Sequence, residues 1–386
     1  MKKKLFALLL ACVMLFTLAA CGGEDSGSSG SPAPSESPEP SGSTEPSGST
    51  KPSESAKPSE SAAPESSSGA PAEESSGGGT ALQVTLVVAD TFGDRSFYDS
   101  AKEGTDRLAA DKGISVKTIE CTGENHTAQM RNAADGSKAG DVVVCVGWEF
   151  YDIETVAPSY PDVKWIWIDN ATENPVANVL NITYAQNEGS FLAGYIAAAL
   201  SKSGVVGAVG GEDSDTINDF IVGYEQGAKY YAGENGGSVS VVKNYANTYT
   251  DPAVGKECAN ALNDQGADVI FQIASATGDG VFEAAKEKGF YAIGVDSDQK
   301  YIDPDTIVCS MKKEVGSSIY DAVSKLIDGD ASRWGTTWVA DMSTGYVGIG
   351  YGEDGAVQQV PDDVKSAVEM LTLKIASGEI KVDTTR

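Results

Sequence analysis

Residues 267–296 read ADVIFQIASATGDGVFEAAKEKGFYAIGVD, and their pattern decides the fold. The run DVIFQIA is apolar almost throughout but too short for a helix. Turn residues Thr277-Gly278-Asp279 follow, and Gly280–Lys288 then carries Val281, Phe282, Ala284 and Ala285 at helical spacing among charged positions. Gly289 stops that helix, and a second apolar run, YAIGVD, ends on Asp296. Strands that are apolar on both faces, with a helix between them, predict parallel pairing in a sheet covered on both sides.

The same unit repeats outward. Towards the amino terminus lie VTLVVAD ending at Asp90, SVKTIE, DVVVCVG ending at Gly147 and VKWIWID ending at Asp169, with helical stretches between them. The pattern breaks near residue 180 and restarts with helix Glu188–Ser201, strand VGAVGG, helix Phe220–Ala232, strand VSVVKNY and helix Ala253–Gln265. Beyond the opening stretch, TIVCSM leads into helix Val315–Asp328. Two series with a break predict an α/β protein of two doubly wound parallel-sheet lobes joined by a hinge. The first lobe is expected over about 81–183 plus about 310–335, the second over about 184–309 plus the C-terminal part. In such sheets a ligand sits outside the carboxyl ends of the strands, here Asp90, Gly147, Asp169, Gly211 and Asp296.

Residues 1–80 have a different character. Met1–Ala20 places three lysines before an apolar run of secretory-signal length, too short for a stable membrane span. It closes on Leu18-Ala19-Ala20-Cys21, which resembles the lipobox of bacterial lipoproteins. The expectation is a signal peptide over 1–20, with Cys21 taking diacylglycerol and a further acyl chain such as palmitate. Anchoring on two or three chains is stable, because each buried methylene contributes about 0.8 kcal/mol. Residues 21–80 are nearly all Ser, Pro, Gly, Glu and Ala, too poor in apolar side chains to offset the entropy of ordering. They read as a disordered tether behind a lipid-anchored cysteine on the outer face of the membrane.

Charge and cysteine usage narrow the function. The chain carries −28; loss of three signal lysines makes −31, and the ten acids and two lysines of 21–80 account for −8, leaving −23 on 81–386. Such a surface argues against nucleic acid or anionic lipid as a partner. Cys121, Cys145, Cys258 and Cys309 are widely spaced and the chain has one histidine, so neither a zinc site nor another metal site is expected. Cys145 and Cys309 fall inside strands, where a buried thiol is the default. His126 stands in a polar loop, and there is no GxSxG, P-loop or HExxH. No catalytic residues, enzyme activity or cofactor are expected.

Several stretches in order carry a resemblance: GDRSFYDSAKEG after Asp90, YPDVKWIWID, EGSFLAGYIAA, VGAVGGEDSDTINDFIVGYEQG, the stretch through GVDSDQ, and SMKKEV. From about Leu82 to about Gly352 the chain resembles the basic membrane protein family, the purine nucleoside receptor type of ABC-importer binding lipoproteins. The resemblance implies a periplasmic-binding-protein type 1 fold, a nucleoside between the lobes, and a partner permease and ATPase. It implies a base stacked on Phe97 and Phe220, with Asp90 and Asp152 near it. Asp296 and Lys313 would hold the ribose, and Gly278 would belong to a glycine-rich ribose loop. The family's asparagine in the first loop is Tyr98 here, which leaves the ligand open. Each residue also has a structural reading: Phe97 and Phe220 as core plugs, Asp90 and Asp296 as helix caps, Lys313 as a solvated charge with Lys312 adjacent. A receptor for another polar ligand such as a sugar, or a lipoprotein that senses a ligand for a membrane partner, is the alternative.

Overall fold

The computed structural model describes residues 82–385. The expected signal peptide, lipidated Cys21 and tether lie outside the described residues. The first lobe begins with β1 (Gln83–Val88), α1 (Phe97–Lys112), β2 (Ser115–Glu120), α2 (His126–Asp135), β3 (Val142–Val146), α3 (Ile153–Val156), β4 (Lys164–Ile168) and β5 (Val179–Tyr184). The second holds α4 (Gln186–Leu200), β6 (Val205–Gly210), α5 (Asp215–Glu234), β7 (Ser240–Tyr245) and α6 (Pro252–Asp264). It continues through β8 (Val269–Ile273), α7 (Gly278–Lys288), β9 (Tyr291–Asp296) and β10 (Ile307–Lys313). After these come α8 (Val315–Ile327), β11 (Thr337–Ala340), β12 (Val347–Gly350) and α9 (Asp362–Ala376).

One six-stranded sheet runs β11-β5-β4-β3-β1-β2 and the other β12-β10-β9-β8-β6-β7. Pairing is parallel except where β12 lies antiparallel to β10. The strands are covered on both faces, as their composition demands. On β1, Val84, Leu86 and Val88 enter one apolar cluster while Val87 enters another. On β8, Phe271 faces one cluster and Ile270 a different one. Each such fully buried side chain contributes about 1.5–3 kcal/mol. The Cys145 and Cys309 thiols are buried in these layers, and Cys121 and Cys258 are also free.

Among the described residues the chain passes between the sheets three times: after β5, between β10 and β11, and between β11 and β12. The expected return to the first lobe at about 310 falls inside β10, which continues in the second sheet, pairing Lys312 with Asp296 of β9. The return comes with α8, fixed by a backbone contact. A Cβ on Gly104 of α1 would stand 2.2 Å from the carbonyl oxygen of Gly316 on α8, so only glycine permits the approach. The last strands then go to opposite lobes, β11 beside β5 and β12 beside β10.

Candidate ligand-binding site

The carboxyl ends of both sheets meet at a cavity of about 400 Å³. Its walls come from loops just past strand ends: Gly147–Glu149 after β3, Asp169 and Asn170 after β4, Glu212 after β6, Tyr249 after β7 and Ser275 after β8. Asp169, Ser275 and Asp296 have φ of 69°, 50° and 62°. Non-glycine residues seldom hold this left-handed conformation, and its concentration at three strand ends marks backbone strain at the site.

One end is organised around Lys313, the last residue of β10. Its ammonium donates to Asp169 Oδ2 at 2.7 Å, and both side chains are largely buried. The nitrogen lies 4.9 Å from the ring centre of Phe97 and 5.2 Å from those of Tyr184 and Phe220, so aromatic faces supplement the ion pair. Asp296 stands beside it and accepts from Ser96 Oγ at 2.6 Å. Burial pushes the Asp296 carboxyl up to about 6, against the opposing pull of Lys313 and Ser96.

The other end carries Glu149 and Glu212. Glu149 Oε2 is buried without a hydrogen-bond partner. Burial raises this carboxyl above the usual range; a hydrogen bond from its own backbone N–H and the charge of His126 oppose the rise, while Glu212 and Asp90 add to it. Tyr249 lies close to both glutamates, and burial followed by their charges pushes its phenol up. A second cavity of about 370 Å³ adjoins here and shares Tyr98, Glu149, Tyr249 and Ser275 with the first.

Loop 93–97 ties the lobes together. The Asp94 carboxylate accepts from the backbone N–H groups of Ser96, Tyr98 and Asp99, fixing the start of α1, and from Ser275 Oγ of the other lobe at 2.9 Å. Arg95 pairs with Asp279, and Gln299 Nε2 donates to the Arg95 carbonyl at 3.1 Å. With Ser96 on Asp296, three consecutive residues make four polar contacts across the cleft.

The sequence matches, over residues 81–386, the family described as ABC transporter substrate-binding protein PnrA-like. The chain belongs to that family. Basic membrane protein A of Borreliella afzelii is 30% identical over 305 residues, covering 78% of this chain and 91% of the relative. Basic membrane protein D of Borreliella burgdorferi is 32% identical over 305 residues, covering 77% and 84%. Among solved structures, an ABC transporter solute-binding protein from Aeropyrum pernix superimposes with a TM-score of 0.72 at 28% identity, covering 79% of this chain and 94% of that one. The periplasmic solute-binding fold expected from the sequence is thus the fold observed. Among the described residues, no helix is long and apolar enough to cross a membrane.

Within this PnrA-like substrate-binding protein, Phe97, Tyr98, Phe220, Asp296 and Lys313 all line the main cavity. Lys313 is 2% exposed, which excludes a solvated charge; its neighbour Lys312 pairs with Glu314 instead. Asp90 lines only the adjoining cavity. Asp152 and Gly278 line neither. Asp152 precedes α3 and accepts from Thr127 Oγ1 at 2.5 Å. Gly278 opens α7, where a Cβ would strike the Gln272 side chain at 2.0 Å, so its need for glycine is a packing need. Sequence reasoning did not single out Glu149, Glu212, Tyr249 or Ser275. Their signal was position, since each follows the carboxyl end of a strand by a few residues.

Proposed function

We propose that this protein captures a purine nucleoside on the outer side of the cell membrane and delivers it to an ABC permease and its ATPase. The observation that carries the reading is the pairing, in one interlobe cavity, of two phenylalanines from opposite lobes with the buried Asp296–Lys313–Asp169 group. A purine offers two apolar faces, suited to Phe97 and Phe220, and an edge of donors and acceptors. A ribose diol offers two donors that the Asp296 carboxylate accepts, while Lys313 donates to a sugar oxygen. The ligand contacts both lobes and so favours the closed arrangement; opening about the three crossings releases it to the permease. The protein holds its ligand and does not transform it.

Identification by mass spectrometry of the small molecule released on denaturing freshly purified protein tests the assignment. A purine nucleoside is expected, and a sugar in its place would refute it. The anchor is part of the same proposal: Cys21 carries the lipid and the tether spaces the lobes from the membrane. Cys21→Ser should move the protein from the membrane fraction to the soluble one. Retention in the membrane by that variant would overturn the lipid assignment.

A further inference from the structure

We propose that Glu149 and Glu212 set the base preference of the site, selecting purines whose edge presents a ring N–H beside an exocyclic amine, as guanosine does. The inference rests on the nucleoside reading and adds to it which edge is read.

The two glutamates form an end of the cavity distinct from the sugar end. The charged groups that bear on Glu149 are His126, Glu212 and Asp90, whereas those that bear on Asp296 are Lys313, Asp94 and Asp169. The glutamates come from opposite lobes, Glu149 two residues past Gly147 and Glu212 directly after Gly211, and both line the same cavity. Glu149 Oε2 is buried and receives no donor. The lysine that lines this cavity, Lys313, acts on Asp169 and Asp296 and is not among the charges that bear on Glu149. The half-buried Glu149 carboxylate takes one hydrogen bond from its own backbone N–H, and its buried Oε2 is left for a donor on the ligand. A carboxylate has two coplanar acceptor oxygens, which match two adjacent N–H donors on one heterocycle edge. Guanosine supplies that pair. Inosine lacks the amine, and adenosine places an acceptor beside its amine, which a carboxylate repels.

Losing one hydrogen bond to a charged group weakens binding roughly ten- to hundredfold. Calorimetric titration at pH 7.5 of the wild type, Glu149→Gln and Glu212→Gln with guanosine, inosine and adenosine tests this. Both substitutions keep the side-chain shape and remove charge. The wild type should bind guanosine at least tenfold more tightly than inosine or adenosine. In Glu149→Gln the ratio of guanosine to inosine should fall to within about threefold, and Glu212→Gln should narrow it in the same direction. A wild type that prefers inosine or adenosine, or ratios unchanged in both variants, would overturn this inference and leave nucleoside binding intact. Absence of binding by all three nucleosides would remove both readings together.

Discussion

At one end of the cavity Lys313 donates to Asp169 at 2.7 Å and sits among the rings of Phe97, Tyr184 and Phe220; at the other, Glu149 leaves a buried oxygen unpartnered. At the first end the chain itself holds Lys313 through Asp169 Oδ2, and Asp169 Oδ1 is, like Glu149 Oε2, buried without a hydrogen-bond partner. Its one ammonium faces two carboxylates, Asp169 and Asp296, and the Lys313–Asp169 pair is formed within the chain, which suits recognition of an invariant part such as ribose. The second end is completed by the ligand, which is where discrimination between bases belongs. A site can thus be preorganised for what its ligands share and left incomplete for what distinguishes them.

The sharpest way to break this comparison is to remove the sugar-end carboxylate. Asp296→Ala should weaken ribonucleosides by more than tenfold and alter binding of free bases little, because a charged hydrogen-bond partner typically contributes about 1.5–3 kcal/mol. Calorimetry with nucleoside, 2′-deoxynucleoside and base reads the difference. Equal losses for nucleoside and base would make Asp296 a structural residue.

A second prediction concerns the cost of preorganisation. The Asp296 carboxyl is raised from 3.8 to about 6 by burial, so folding favours its neutral form. Its ionisation therefore burdens the native state increasingly from about pH 4 to pH 6 and fully above that. Asp296→Asn should stabilise the unliganded protein at pH 7.5 by about 3 kcal/mol and have little effect below pH 4. Urea melts at the two pH values check this. A variant less stable than the wild type at pH 7.5 would show that the carboxylate's attraction to Lys313 outweighs its burial.

Smaller effects are expected from the plates and the latch. Phe97→Ala should weaken nucleosides and free bases alike by about three- to tenfold, in line with about 0.5–1.5 kcal/mol for a ring contact beyond area burial. Selective loss of nucleoside would move Phe97 from base to sugar. Arg95→Ala removes a pair with Asp279 whose arginine is 42% exposed, and such pairs contribute about 0–1 kcal/mol. Ligand release in stopped flow should therefore speed up by no more than about fivefold. A larger acceleration would make this pair the main lock on closure.

The architecture was legible because parallel strands covered on both faces are written as continuous apolar runs, VIFQIA and VVVCV among them. The lobe boundary was less so. β10 looks like the start of another strand–helix unit of the first lobe, yet its partner β12 lies about forty residues further on, and local periodicity does not reveal such a pairing. β5 also escaped notice, because Asn181 and Thr183 interrupt its apolar pattern; both are buried, Asn181 with its amide on two threonine hydroxyls. In the site, Asp296 stood out as a charge at a strand end, and Lys313 through the family resemblance of SMKKEV. Glu149 and Glu212 did not, because a glutamate in a loop reads as solvated until the opposite lobe covers it. Asp152 and Gly278 show the reverse: each sits in a suggestive motif, while Thr127 and Gln272 occupy their surroundings.

On this reading of the cavity, its two ends act together on one molecule. Calorimetric titration of the wild-type protein with guanosine, guanine and ribose, under one set of conditions, tests it most directly. One guanosine per chain is expected, bound at least about a hundredfold more tightly than either fragment. Ribose binding as tightly as guanosine would contradict it and make the cavity a sugar site.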